Sequence, residues 1–215
     1  MLGYTGCAVP IIDDTTLMTL IAAGILAVVA IGLILMRRHV QRLHDRLAPA
    51  FELGTTRRAS TVPPAVEGLF QGYTCRYGIE QRSQYSAGGA TLRIRASSPL
   101  KWSASRKGVG SAVLTSIGIL KDIAIGDEEL DARLRLSAGD APMLTSLLGQ
   151  QRTRAALRSL ADTEGFASIS VRAARADLKW SPRRPELDEN PETLRRRLSA
   201  AVDLLAACGC PPLMG

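Results

Sequence analysis

Aromatic residues are scarce in this chain: two Trp, four Tyr and three Phe make up 4% of 215 residues. So few flat side chains leave little platform for stacking single-stranded bases, and no nucleic-acid partner is expected despite a net charge of +7. Histidine occurs only at positions 39 and 44. Both follow directly on an apolar run, where a Ser-His-Asp site has no reason to assemble. No G-x-S-x-G elbow is present, and Lys107-Gly-Val-Gly-Ser111 lacks the spacing of a phosphate-binding loop. The four cysteines, at 7, 75, 208 and 210, supply neither a disulfide framework nor two metal-binding pairs. Cys208-Gly-Cys210 is one residue short of the C-x-x-C redox motif. These read as reduced thiols, the last two beside a flexible end. No catalytic residue and no cofactor is assigned.

The most informative absence is of charge. Leu17 to Met36 contains no Asp, Glu, Lys or Arg. A helix rises about 1.5 Å per residue, so roughly 20 apolar residues match a hydrocarbon core of about 30 Å. The run is apolar on every face, unlike a surface helix of a soluble domain. Asp13, Asp14, Thr15 and Thr16 suit its N-terminus, and Arg37, Arg38, Arg42 and Arg46 follow its other end. The basic flank predicts a single-pass anchor in a bacterial inner membrane, N-terminus out and the rest cytoplasmic. A cleaved signal peptide would need a basic n-region, and the first 16 residues carry no Lys or Arg. Ala23, Gly24, Ala27 and Gly32 leave close helix packing, and so a homo-oligomer, open.

The chain divides accordingly. Residues 1–16 form a short outer tail and 17–36 the transmembrane helix. Residues 37–64 read as a basic juxtamembrane helix and linker, 65–207 as the soluble domain and 208–215 as a flexible C-terminus. Val40, Leu43, Leu47 and Phe51 recur at helical spacing between arginines. This reads as an amphipathic continuation of the membrane helix, lying on or leaving the surface, with Arg37, Arg38, Arg42 and Arg46 near anionic lipid head groups. Gly54 to Pro64 has no apolar period and reads as a linker.

Within the domain, period-two alternation marks strands at Tyr73–Ile79, Leu92–Ile94, Leu100–Ala104, Leu130–Leu136, Ala167–Val171 and Ala176–Trp180. Gly108–Leu120 fits either a short helix or a buried strand. Helices are expected around Met143–Leu148, Ala156–Leu160 and after Asn190-Pro191. In the last of these, Leu194, Leu198, Ala201, Val202 and Leu205 form the core face, with Arg195, Arg196 and Arg197 on the others. The fold class is α+β: an antiparallel sheet with helices packed on one face. Leu92–Ser103 and Ile169–Ser181 share Leu-Lys-Trp-Ser endings and read as similar hairpins, with Trp102 and Trp180 both buried.

One acidic turn, Gly126-Asp127-Glu128-Glu129-Leu130-Asp131, invites a Mg²⁺ or Ca²⁺ reading through Asp127, Glu128 and Asp131. The simpler account is a solvated turn whose acids meet nearby arginines. With the anchor and Gly72-Tyr73 before it, this turn resembles the Gly-Asp-x-x-Phe-Asp stretch of bacterial membrane-anchored proteins of unknown function, with Leu130 in the aromatic's place. The resemblance implies the architecture and no activity. The leading expectation is a membrane-tethered module that binds an unidentified protein partner or acts structurally. The alternative is a metal-dependent hydrolase or other enzyme at Asp127–Asp131.

Overall fold

The structure is a computed structural model that describes residues 14–58, 65–80, 84, 87–108 and 122–213. The outer tail with Cys7, and nearly all of the ambiguous Gly108–Leu120 stretch, lie outside these residues. The chain forms two compact units, Met1–His39 and Val40–Gly215.

The first unit holds most of helix α1, Asp14–Leu47. Every described side chain from 17 to 39 is exposed. Among the described residues this is one helix long and apolar enough to cross a membrane.

The second unit is built on an eight-stranded sheet: β1 (Leu53–Arg58), β2 (Ala65–Phe70), β3 (Tyr73–Glu80), β4 (Gly89–Arg95), β5 (Trp102–Arg106), β6 (Leu134–Ala138), β7 (Phe166–Arg172) and β8 (Arg175–Trp180). Their order across the sheet is β1-β2-β3-β4-β8-β7-β5-β6, with every pairing antiparallel. Among the described residues five α-helices and a short 3-10 turn at Ala48–Ala50 join it: α2 (Glu128–Arg133), α3 (Ala141–Gly149), α4 (Gln151–Ala161), α5 (Pro185–Asp188) and α6 (Pro191–Ala207). The α+β class with helices on one sheet face is therefore as expected. Tyr73, Cys75, Tyr77 and Ile79 of β3 and Ile169 and Val171 of β7 share one core with Leu144, Leu157, Leu194 and Leu198 of the helices. Trp102 and Trp180 are both buried, at 3% and 1% exposure.

Local chemistry fixes the helix starts. Asn190 accepts hydrogen bonds from the amides of Glu192 (2.8 Å) and Thr193 (3.2 Å), capping α6 behind Pro191. Asp140 caps α3 through the amide of Met143 at 2.9 Å.

Several boundaries differ from the sequence reading. The stretch read as a linker already enters the sheet: Leu53–Arg58 is the edge strand β1, paired with β2. The stretch from Val40 to Leu47 does continue helix α1, as expected, but its apolar side chains turn into the domain and not onto a membrane surface. Val40, Leu43, Leu47 and Phe51 are buried in the domain, and the last three join its main core. Each such burial is worth about 1.5–3 kcal/mol relative to exposure in water. Phe51 lies flat on β2, where a β-carbon at Gly68 would sit 2.8 Å from its ring.

The C-terminal residues are tied down as well. The Tyr73 hydroxyl donates to the Cys210 carbonyl at 2.8 Å, Ser97 donates to the Pro211 carbonyl, and Ala96 bridges to Pro212. Cys75, Cys208 and Cys210 are free and buried. Burial pushes the Cys75 and Cys208 thiols up to about 12, so neither is a ready nucleophile at neutral pH.

Leu130 belongs to α2 and not to a strand that continues into Leu136. Asp127 caps that helix, Leu130 is buried and Ala132 is exposed, so the alternation breaks there and restarts at Leu134. The two similar stretches are not two hairpins. β7 and β8 pair with each other, whereas β4 and β5 flank that pair as β4-β8-β7-β5. Trp102 and Trp180 lie opposite the two ends of β7, at Val171 and Phe166, so the shared residues mark core-facing strand positions and not a repeated hairpin.

Candidate functional site

Period two sends alternate strand residues to opposite sheet faces. The side away from the core therefore carries Thr74, Arg76 and Glu80 of β3 and Thr91, Arg93 and Arg95 of β4. It continues with Arg175, Asp177 and Lys179 of β8, then Ser168, Ser170 and Arg172 of β7. All are half-buried or exposed. Strand register sets like charges side by side. Arg76 is paired with Arg93, Arg95 with Arg175, and Arg175 with Arg172. Like charges directly opposite each other destabilise a sheet. The offset present is small. Asp177 lies between two of these arginines, with Oδ1 2.7 Å from Arg93 Nε and Oδ2 2.9 Å from Arg175 Nε. Glu80 meets Lys179 at 3.3 Å. Arg95 and Arg172 meet no carboxylate among the described residues.

Three clefts cross this face, of about 490, 370 and 720 Å³. Arg175 borders all three. The first has a floor of Gly78, Thr91, Ser168 and Ser170, short groups that leave room between longer cationic ones. The arrangement offers guanidinium forks and hydroxyl donors to an anion, without a nucleophile–base pair.

The acidic turn has a different character. The Asp127 carboxylate accepts from the Leu130 amide at 3.1 Å and pairs with Arg158 Nη2 at 2.9 Å. The amide bond first, and Arg158 after it, holds this carboxyl below the usual aspartate range. Asp131 accepts from the amides of Ile125 (3.1 Å) and Gly126 (3.0 Å). Glu129 faces Arg133 and Arg158, each at 3.1 Å, and Glu128 is exposed. Asp127 and Asp131 thus close their own turn. Among the described residues no group of three or more His, Cys, Asp and Glu side chains gathers as metal ligands.

Replacing Asp127 by alanine is expected to cost about 1 kcal/mol at pH 7, the typical value of a lost N-cap. The folded-state pKa lies below the unfolded one, so this stabilisation is complete above about pH 4 and disappears as pH falls through the folded value. Denaturant unfolding of both proteins at pH 7 and pH 3 checks it. An equal gap at the two pH values would refute the assignment.

No protein-family model and no curated protein matches the sequence. Among solved structures, the chain is similar to the crystal structure of the mycobacterial trehalose monomycolate transport factor A, TtfA. The two are 14% identical, with a TM-score of 0.44, over 82% of this chain and 98% of that one.

The four arginines expected at a membrane surface, Arg37, Arg38, Arg42 and Arg46, are all exposed. Arg46 reaches Glu189 at 3.3 Å, so one of them has a partner inside the domain. The basic sheet face was not foreseen. Its local signal is a pair of arginines, 93 and 95, alternating with Leu92 and Ile94, which by itself marks no more than the polar side of a strand.

Proposed function

We propose that the chain is a single-pass, membrane-tethered module that acts by binding a partner, with its N-terminus outside and its C-terminal domain in the cytoplasm. The observation that carries this reading is the run Leu17–Met36: uncharged, helical, exposed along its whole length and closed by Arg37 and Arg38. Twenty exposed apolar residues have no stable place in water, and a basic flank favours the cytoplasmic side. Anionic head groups beside Arg37, Arg38 and Arg42 belong to the same proposal. Support for binding over catalysis comes from the site chemistry. Asp127, Glu129 and Asp131 of the acidic turn bond its own backbone or neighbouring arginines, while the sheet face gathers arginines side by side, with Arg95 and Arg172 meeting no carboxylate among the described residues.

A fluorescent protein and an alkaline phosphatase, each fused after Gly215, test the topology in bacterial cells. The expected result is a fluorescent, phosphatase-negative pair that stays with the membrane in carbonate. Phosphatase activity, or release by carbonate, would overturn it.

A further inference from the structure

We infer that the polar sheet face grips an acidic segment of a partner protein, with Arg95, Arg175 and Arg172 as the row that receives its carboxylates. This deepens the binding-module reading and rests on it.

The first argument is electrostatic. The three arginines occupy directly opposed positions on β4, β8 and β7, and the outer two lack a carboxylate partner among the described residues. A fold gains nothing from such a row by itself, since opposed like charges cost stability. Inside the domain the row is compensated at Arg175 alone, through Asp177, and a local rule left broken at Arg95 and Arg172 marks a place where a ligand can supply the missing charge. The second argument is spatial. Neighbouring strands lie about 4.8 Å apart, so the outer arginines start roughly 10 Å apart, about the reach of three extended residues. The three clefts meet at Arg175 and continue the cationic track past Arg76 and Arg93 on one side and Lys101 on the other. An extended chain can follow such a track, and guanidinium forks hold carboxylates in bidentate pairs.

The same features disfavour other occupants. A flat bilayer would meet only the rims of these clefts, whereas an extended chain can lie along them. A single small anion would use one cleft and leave two. Nucleic acid would want exposed rings for stacking, and this track exposes none.

The test uses the full chain in nanodiscs of zwitterionic lipid and a fluorescent peptide of about ten residues alternating Glu and Ser, read by anisotropy. A Gln-Ser peptide of equal length is the control. The glutamate peptide is expected to bind at about 50 mM salt and to weaken strongly at about 300 mM, as screening requires. The double variant Arg95→Glu/Arg172→Glu is expected to lose at least about tenfold in affinity, about 1.4 kcal/mol. Its unfolding transition should match or exceed the parent's, because both side chains are exposed and each glutamate would face Arg175 with opposite charge. Arg37→Gln/Arg38→Gln should bind like the parent, which separates this face from the anchor's flank. Equal binding of the two peptides would overturn the proposal, as would an unchanged affinity in the double variant or no binding at low salt. Binding of inorganic phosphate or of phosphatidylglycerol vesicles through Arg95 and Arg172, with the peptide left unbound, would overturn it in favour of those ligands. None of these failures bears on the topology, which the fusion reporters decide separately.

Discussion

Replacing Arg197 by alanine is expected to lower the stability of the domain by about 3–5 kcal/mol, the cost of leaving one half of a buried ion pair without the other. Arg197 and Asp188 are each only 2% exposed at the side chain, and Nη1 lies 2.9 Å from Asp188 Oδ1. The same nitrogen donates to the Tyr77 hydroxyl at 3.0 Å, and Nη2 donates to the Glu164 carbonyl at 3.3 Å. The guanidinium lies 4.8 Å from the centre of the Trp180 ring, a contact that strengthens where water is excluded. Asp188 is further engaged by the Arg184 amide at 2.8 Å, and the Tyr77 hydroxyl donates to the Asp188 carbonyl at 3.0 Å. One guanidinium therefore joins α6 to β3, to α5 and to the turn before β7.

For a domain of this size each kcal/mol moves the melting temperature by about 2–4 °C, so the full chain in detergent should melt roughly 6–20 °C lower. Asp188→Asn should lose a comparable amount, because it strands the cation. Arg197→Lys should not rescue, since a single ammonium cannot span Tyr77, Asp188 and Glu164 together. Arg197→Met combined with Asp188→Leu should recover at least half of the loss, since no charge is then left buried alone. An alanine variant within about 1 kcal/mol of the parent would refute the role given to this pair.

That network also shows where sequence reasoning ended. The core stripe of α6 was legible in Leu194, Leu198, Ala201 and Leu205. Arg197, three residues past Leu194 and four before Ala201, lies on the same stripe by spacing alone. The run Arg195-Arg196-Arg197 reads as one basic set on the other faces, and a buried cation is expensive without a partner. The partners come from distant places, Tyr77 on β3 and Trp180 on β8, and no local pattern announces them.

Elsewhere the same contrast holds. The uncharged run at 17–36, the cap at Asn190 and the alternation in β3, β4, β7 and β8 are local signals, and each matched its element. Phe51 and the residues after Cys208 were assigned to flexible or membrane-facing chain because their core contacts, Gly68 for one and Tyr73 for the other, are long-range. Leu130–Leu136 misled for a sharper reason. A short capped helix running straight into a strand happens to keep leucine or alanine at every second position. The cationic face was half legible: alternation placed Arg93 and Arg95 on the solvent side, but register alone reveals that Arg95 lies beside Arg175 and Arg175 beside Arg172.

Gly89→Ala is expected to be severely destabilising, costing about 4 kcal/mol or more. Two costs combine. Gly89 opens β4 with φ of +151°, a region that residues with a β-carbon rarely enter and that costs on the order of 1–3 kcal/mol to impose. The added carbon would also sit 2.0 Å from the Trp180 carbonyl oxygen and 3.1 Å from its carbonyl carbon. Those are backbone atoms at the end of β8, and they cannot step aside as a side chain would. Ala90 is paired with Trp180 in the β4–β8 ladder, so relief of the clash must open the ladder that holds the two halves of the sheet together. Trp180 also carries Arg197 on its ring and donates from Nε1 to the Thr163 hydroxyl at 2.9 Å, which transmits any shift into the buried ion pair. Gly149→Ala is the matched control. Gly149 ends α3 with nothing within 4 Å of the added carbon, and alanine there should be neutral or stabilise by about 0.4–1 kcal/mol. Parallel denaturant unfolding of the two variants separates backbone strain from a general intolerance of added methyls. A Gly89→Ala protein as stable as the Gly149→Ala protein would show that the β4–β8 junction is not built as described.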